Sequence, residues 1–148
     1  MVTYKDVPPT AVIEAVSEEL QKNESIKSPE WAAFVKTGVS RERQPINPHW
    51  WFVRCAAILR TVAEIGPIGT NKLRIKYGGK KRRGYKKSRF ELGSGSVARK
   101  ALQQLEAAGL IKQSMVGNRK GRTITPQGQK LLDVSAGKVA KVEKDGNK

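Results

Sequence analysis

LEAAGLIKQ at 105–113 and GRTITPQGQKLL at 121–132 decide how this chain folds. Leu105 to Gly109 has the form of a helix end, with glycine supplying the left-handed residue after the last turn. Leu110 to Met115 reads as a strand. Val116 to Gly121 holds two glycines and two cations and predicts a turn, and Arg122 to Thr125 predicts the return strand of a β-hairpin. Thr125-Pro126 then starts a last helix carrying Leu131, Leu132 and Val134, because proline suits a first helical turn. A helix, a glycine stop, a hairpin with a basic turn and a capped helix form the second half of a winged helix–turn–helix.

The upstream segments supply the first half. SVARKALQQLEAAG at 96–109 predicts a helix capped by Ser94 or Ser96. Val97, Ala101, Leu102, Leu105 and Ala108 form its core face, and Arg99, Lys100, Gln103 and Glu106 lie opposite. HWWFVRCAAILRTVAEI at 49–65 is opened by Asn47-Pro48 and stopped by Gly66-Pro67. Trp51, Phe52, Cys55, Ile58, Leu59 and Val62 make its main stripe, while Trp50 and Ala57 lie on another side. A helix apolar on more than one side is central to its fold. IGTNKLRIKYGG at 68–79 predicts a helix of about two turns, capped at Gly69 or Thr70, with Leu73 and Tyr77 inward. Residues 78–93 read as a long Lys/Arg/Gly loop, of the kind compact domains keep for function. At the N-terminus, Asp6 is the expected cap of a helix over 8–22 with Val12, Ile13, Val16 and Leu20 on one face. Ser28-Pro29-Glu30 starts a short helix with Trp31 and Phe34 that ends by Gly38. The expectation is a mainly α chain: one winged-helix domain over 1–136 with an added N-terminal helix and a small hairpin wing, and a basic tail over 137–148.

Charge then narrows the function. The 148 residues hold 29 Lys and Arg against 13 Asp and Glu, a net charge of +16. Residues 1–40 carry −2, residues 41–71 carry +2, residues 72–100 carry +11 and residues 101–148 carry +5. A disordered basic arm would put its charge at an end. Here it is interior, between patterned segments, so a folded body presents it as a patch for a polyanion. No apolar run approaches the roughly 20 residues of a membrane span, and the N-terminus lacks a signal-peptide core. A cytoplasmic chain is expected. Cys55 is the one cysteine and His49 the one histidine. Neither a disulfide framework nor a metal cluster can be built from them. Paired carboxylates, a phosphate loop and a nucleophile elbow are all missing from the sequence, so no enzyme, cofactor or metal is expected.

The winged-helix reading brings Lys72, Arg74, Lys76, Lys80, Lys81, Arg82, Arg83, Lys86, Lys87, Arg89, Arg99, Lys100, Arg119, Lys120 and Arg122 onto or near one surface. Such cations pair with phosphates and gain from counterion release. Tyr77, Tyr85 and Phe90 are interleaved with them. Tyr77 is expected in the core and Phe90 as an anchor. Tyr85 stays open between pinning the loop and stacking on a base. The same fold serves DNA-binding transcriptional regulators. Yet a loop over 78–93 far exceeds the turn of an ordinary helix–turn–helix and would crowd a groove-reading helix. It suits folded RNA better.

Several strings together resemble one family, the e-type (eukaryotic and archaeal) small-subunit ribosomal protein nineteen. They are PEWAAFVKTG at 29–38, WWFVRCAAILR at 50–60, GPIGTNKLRIKYGG at 66–79, the Arg83-Gly84 turn, GSGSVARKALQQLEAAGLI at 93–111 and GRTITPQGQKLLD at 121–133. The compact length and short tail look archaeal. The resemblance implies a winged-helix-like fold with an extra N-terminal helix. It also implies binding to ribosomal RNA in the head of the small subunit, contact with neighbouring small-subunit ribosomal proteins, a monomer when free, and a part in subunit assembly and rRNA maturation. It extends the basic surface to Arg54 and Arg60 on the central helix, beside Lys72 through Arg83, Arg99 and Lys100. Two departures stand out. Arg54-Cys55-Ala56-Ala57 replaces the usual Arg-Ala-Ala-Ser, and Phe90-Glu91-Leu92 is less basic than usual.

Overall fold

A computed structural model of the chain describes residues 2–145. The architecture is mainly α. Helix α1 spans Pro9–Gln21, a 3-10 turn Glu30–Ala33, α2 Trp50–Ile65 and α3 Thr70–Lys76. Strands β1 (Gly79–Arg83) and β2 (Lys86–Glu91) precede α4 (Gly95–Ala107). Strands β3 (Ile111–Val116) and β4 (Arg119–Ile124) precede α5 (Pro126–Asp145). The two hairpins are separate two-stranded antiparallel sheets.

Helix α2 is the centre. Trp50, Trp51, Cys55, Ala56, Ile58, Leu59 and Val62 are all buried, and the helix packs against α1, α4, β4 and α5. Apolar faces on more than one side of one helix produce this placement. Trp31 and Trp50 each meet the Trp51 ring edge-on, with centroids 5.6 Å away. The Trp51 indole N–H donates to Gln104 Oε1 at 2.8 Å, and the Gln104 amide donates to the Lys27 carbonyl at 2.7 Å. One polar chain therefore ties α2 to α4 and to the segment before the 3-10 turn. The Trp50 indole donates to the Ala32 carbonyl at 3.3 Å, so this ring also lies in the core. Burial pushes the Cys55 thiol up to about 12, which makes it an inert apolar filler rather than a nucleophile.

Local chemistry starts and stops the other elements. Ser94 Oγ accepts from the Val97 N–H and caps α4, and Gly109 leaves that helix at φ +71°. Thr125 Oγ1 accepts from the Gly128 N–H at 3.2 Å and donates to the Gly109 carbonyl at 2.7 Å. A single hydroxyl thus caps α5 and closes the end of α4. Asp6 does not cap α1. Its carboxylate accepts from the Thr3 N–H and hydroxyl, each at 2.8 Å, and Pro8 takes the cap position without a side-chain bond.

Three further expectations change. Residues 78–93 are not a loop: β1 and β2 pair in them, from Gly79↔Glu91 to Arg83↔Lys86. The β3–β4 strands reach further than expected, to Val116↔Arg119, leaving Gly117-Asn118 as the connection. Residues 137–145 are not a tail but the last turns of α5, and 146–148 lie outside the described residues. The reason is packing. Ser135 and Ala136 are buried, Val139 and Ala140 pack on the core, and α5 lies along α1. The Tyr4 N–H bonds Asp133 Oδ1 at 3.2 Å, and Lys138 reaches Glu19 at 2.7 Å across the same contact.

Candidate nucleic-acid interface

The β1–β2 ribbon concentrates the charge. Lys80, Lys81, Arg82, Arg83, Lys86, Lys87 and Arg89 all lie on its two short strands, against the single acid Glu91. None of the seven forms an ion pair among the described residues, whose salt bridges involve other cations. The register sets like against like: Lys81 faces Arg89, and Arg83 faces Lys86. Like charges directly opposite destabilise a ladder, so the free ribbon carries repulsion that phosphates would relieve.

The ribbon is fastened at its base. The Gly93 N–H donates to the Arg74 carbonyl at 2.9 Å, the Ser94 N–H to the Thr37 carbonyl at 3.0 Å, and Gly38 forms a bridge with Gly93. A Cβ on Gly78 would stand 2.6 Å from the Glu91 carbonyl and 2.7 Å from the Phe90 ring, so only glycine lets β2 close over the end of α3. Phe90 thus leans on the base of the ribbon while staying more than half exposed.

The remaining predicted residues divide in two. Lys72, Lys76, Arg99, Lys100, Arg119 and Lys120 are exposed, and Arg74 is half-buried. Arg99 and Lys100 line a groove of about 420 Å³ with Trp31, Ser96 and Lys36. Arg54, Arg60 and Arg122 instead have aromatic or carboxylate partners in the protein. Arg54 lies over the Tyr77 ring, 4.2 Å from its centroid. Burial pushes its pKa down and nearby Arg41 adds to that, while Tyr77 opposes it. Arg60 Nη2 pairs with Glu64 at 2.7 Å, and Arg122 Nε with Glu106 at 3.1 Å. Lys76 donates to the Thr61 hydroxyl at 2.9 Å. Tyr77 is half-buried in the body, and its hydroxyl pKa is raised by that burial.

Two cations escaped the sequence reading, Lys36 in the α4 groove and Arg41 beside Arg54. Both lie in segments whose counts were −2 and +2, so charge density did not single them out. Among the described residues no cluster of His, Cys, Asp or Glu is arranged to hold a metal, and no helix is long and apolar enough to cross a membrane.

Sequence comparison now decides the family, because the model of ribosomal protein S19e matches residues 3–142, nearly the whole chain. The chain belongs to the ribosomal protein S19e family. It is therefore a ribosomal structural protein and not an enzyme. A Haloarcula marismortui protein named small ribosomal subunit protein eS19 is 44% identical over 144 residues, covering 93% of this chain and 90% of its own length. The Thermoplasma acidophilum protein of that name is 40% identical over 147 residues, covering 98% and 95%. Its Aeropyrum pernix counterpart is 45% identical over 138 residues, covering 92% and 88%. The family resemblance read from the motifs is thus borne out, and its archaeal members are among the relatives.

Proposed function

We propose that this protein is a structural constituent of the small ribosomal subunit that binds ribosomal RNA in the head and supports subunit assembly and rRNA maturation. It works in the cytoplasm on the ribosome, beside other small-subunit proteins, and is monomeric when free. The observation that carries the RNA reading is the ribbon of seven cations without an ion pair among the described residues, held clear of a core that needs none of them. We further read the body as a winged helix: α3 and α4 as the helix–turn–helix, β3–β4 as the wing, and the ribbon inserted where an ordinary motif has its short turn. That insertion favours folded RNA over a duplex groove.

The test is charge reversal at Arg82 and Arg83. Neither side chain is buried, so the doubly reversed protein keeps its melting temperature. Incorporation into small subunits falls when subunits are sedimented through a high-salt gradient. Salt matters because contact with six to ten phosphates loses about 10³–10⁵ in affinity between roughly 50 and 200 mM. Unchanged incorporation would remove the ribbon from the interface.

A further inference from the structure

The tip of the ribbon carries a residue that phosphate binding does not explain. Tyr85 follows Gly84 in a two-residue connection, and Gly84 takes φ +66°. Such turns are ordinarily filled by small residues such as Gly, Asn, Asp or Ser. Here the second position holds a large ring at full exposure, 111% of its reference area. The other two tyrosines differ. Tyr4 is buried, and Tyr77 is half-buried beneath Arg54. No aromatic or cation–π contact among the described residues involves Tyr85. It therefore pins nothing to the body.

We propose that Tyr85 is a base-stacking residue, carried by the β1–β2 ribbon onto an unpaired nucleotide while the flanking cations hold the adjoining phosphates. This rests on the RNA-binding reading above and specifies what the RNA must offer. Arg82, Arg83, Lys86 and Lys87 bracket the ring, so phosphates on either side of one nucleotide are within their reach. The strands carry the tip roughly 15 Å from the base of the ribbon, at about 3.3 Å per residue. That is far enough to enter a folded RNA without the body following. An A-form helix keeps its bases stacked and its major groove closed to side chains, so a ring finds a base face only at a loop, bulge or strand end. The ribbon therefore selects unpaired nucleotides rather than duplex. The second hairpin lacks this device. Its connection is Gly117-Asn118, and its exposed apolar residues, Met115 and Val116, have no aromatic ring.

Fluorescence polarisation on the full chain tests this with two labelled RNAs of equal phosphate number, a hairpin with a large unpaired loop and a blunt duplex. Tyr85→Ala is expected to weaken the loop RNA by roughly 5- to 150-fold, the range for losing one base–aromatic stack, and the duplex by no more than about twofold. Tyr85→Phe keeps the loop affinity, because the ring face and not the hydroxyl is used. The slope of log K against log salt stays unchanged in both variants, since no phosphate contact is lost. The Tyr85 ring is fully exposed, so the melting temperature does not move. Equal weakening on both RNAs, or none on either, overturns the stacking role. Arg82→Glu with Arg83→Glu runs in parallel. If it weakens both RNAs while Tyr85→Ala weakens neither, stacking alone fails; if it too is silent, the RNA-binding reading fails as well. A Tyr85→Ala chain that binds both RNAs normally yet no longer enters small subunits would mean that the ring meets a protein, and that also overturns the proposal.

Discussion

Both hairpins are antiparallel pairs of short strands, but β3–β4 is fastened to the body along much of its length and β1–β2 only at its base. Ile111 is buried and faces Ile124, which packs on the core. Arg122 exchanges two backbone hydrogen bonds with Ile68, at 3.1 and 3.0 Å, and its side chain pairs with Glu106. The first hairpin has no buried side chain on either strand, and every residue of β2 before Glu91 is exposed. The difference teaches that strand geometry here has two sources. The second hairpin is set by the surface it buries. The first is held by the close glycine contact at Gly78 and a tight turn, and buries no side chain of its own.

The sharpest way to break the comparison is a methyl group under the docked hairpin. A Cβ on Gly121 would lie 2.6 Å from the Ile68 N and 2.8 Å from the Pro67 carbonyl carbon, both backbone atoms that cannot rotate away. Gly121→Ala should cost about 2–3 kcal/mol of global stability, in the range for overpacking against a rigid neighbour. That corresponds to a drop of roughly 5–12 °C in the calorimetric melting temperature for a chain of this size. Gly84→Ala is the matched control in the other hairpin. It meets no atom within 4 Å but carries φ +66°. The left-handed strain of about 1–2 kcal/mol should appear as fraying of the ribbon, with little change in global melting.

Next in size is the Arg122–Glu106 pair, whose side chains are 20% and 32% exposed. Arg122→Ala should lower stability by about 1 kcal/mol, near the top of the range for a partly exposed ion pair. A double-mutant cycle with Glu106→Ala, followed by urea denaturation, isolates the coupling. Because Arg122 already has a carboxylate partner, its loss should weaken RNA binding less than loss of any ribbon cation. A larger loss than at Arg83 would place Arg122 in the interface and shrink the contrast between the hairpins.

These contrasts also explain what the sequence made legible. The docked hairpin was readable because burial leaves a pattern: a helix-ending glycine, apolar residues at the strand start and a Thr-Pro cap. The ribbon was not, because KKRRGYKKSRF presents cations on both faces and no alternation survives to mark a strand. Its Gly84-Tyr85 turn was the one available signal, weak without flanking apolar positions. The last turns of α5 were missed for a related reason. Lys138, Lys141 and the glycine at 137 look like a tail, yet Ala136, Val139 and Ala140 keep the helix on the core. Charge density did single out the segment that forms the ribbon. Counting by segment could not separate free cations from Arg54, Arg60 and Arg122, whose partners come from contacts the count ignores.

The smallest expected effect is the most discriminating, because stability and binding should move in opposite directions. Lys81 faces Arg89 across the ribbon, and Lys81→Glu turns that like-charged pair into an opposite one. Cross-strand pairs of this kind are worth about 0.2–1 kcal/mol, so ribbon amides should exchange roughly 1.5- to 5-fold more slowly with solvent. The global melting temperature should not change, since the ribbon opens without the core. On the proposed function, affinity for RNA should fall, because a cation offered to phosphates has become an acid. If the ribbon were a structural element like β3–β4, a stabilised ladder would bind as well or better. Tighter pairing together with weaker binding would instead mean that the repulsion across the strands is retained for the sake of the polyanion they hold.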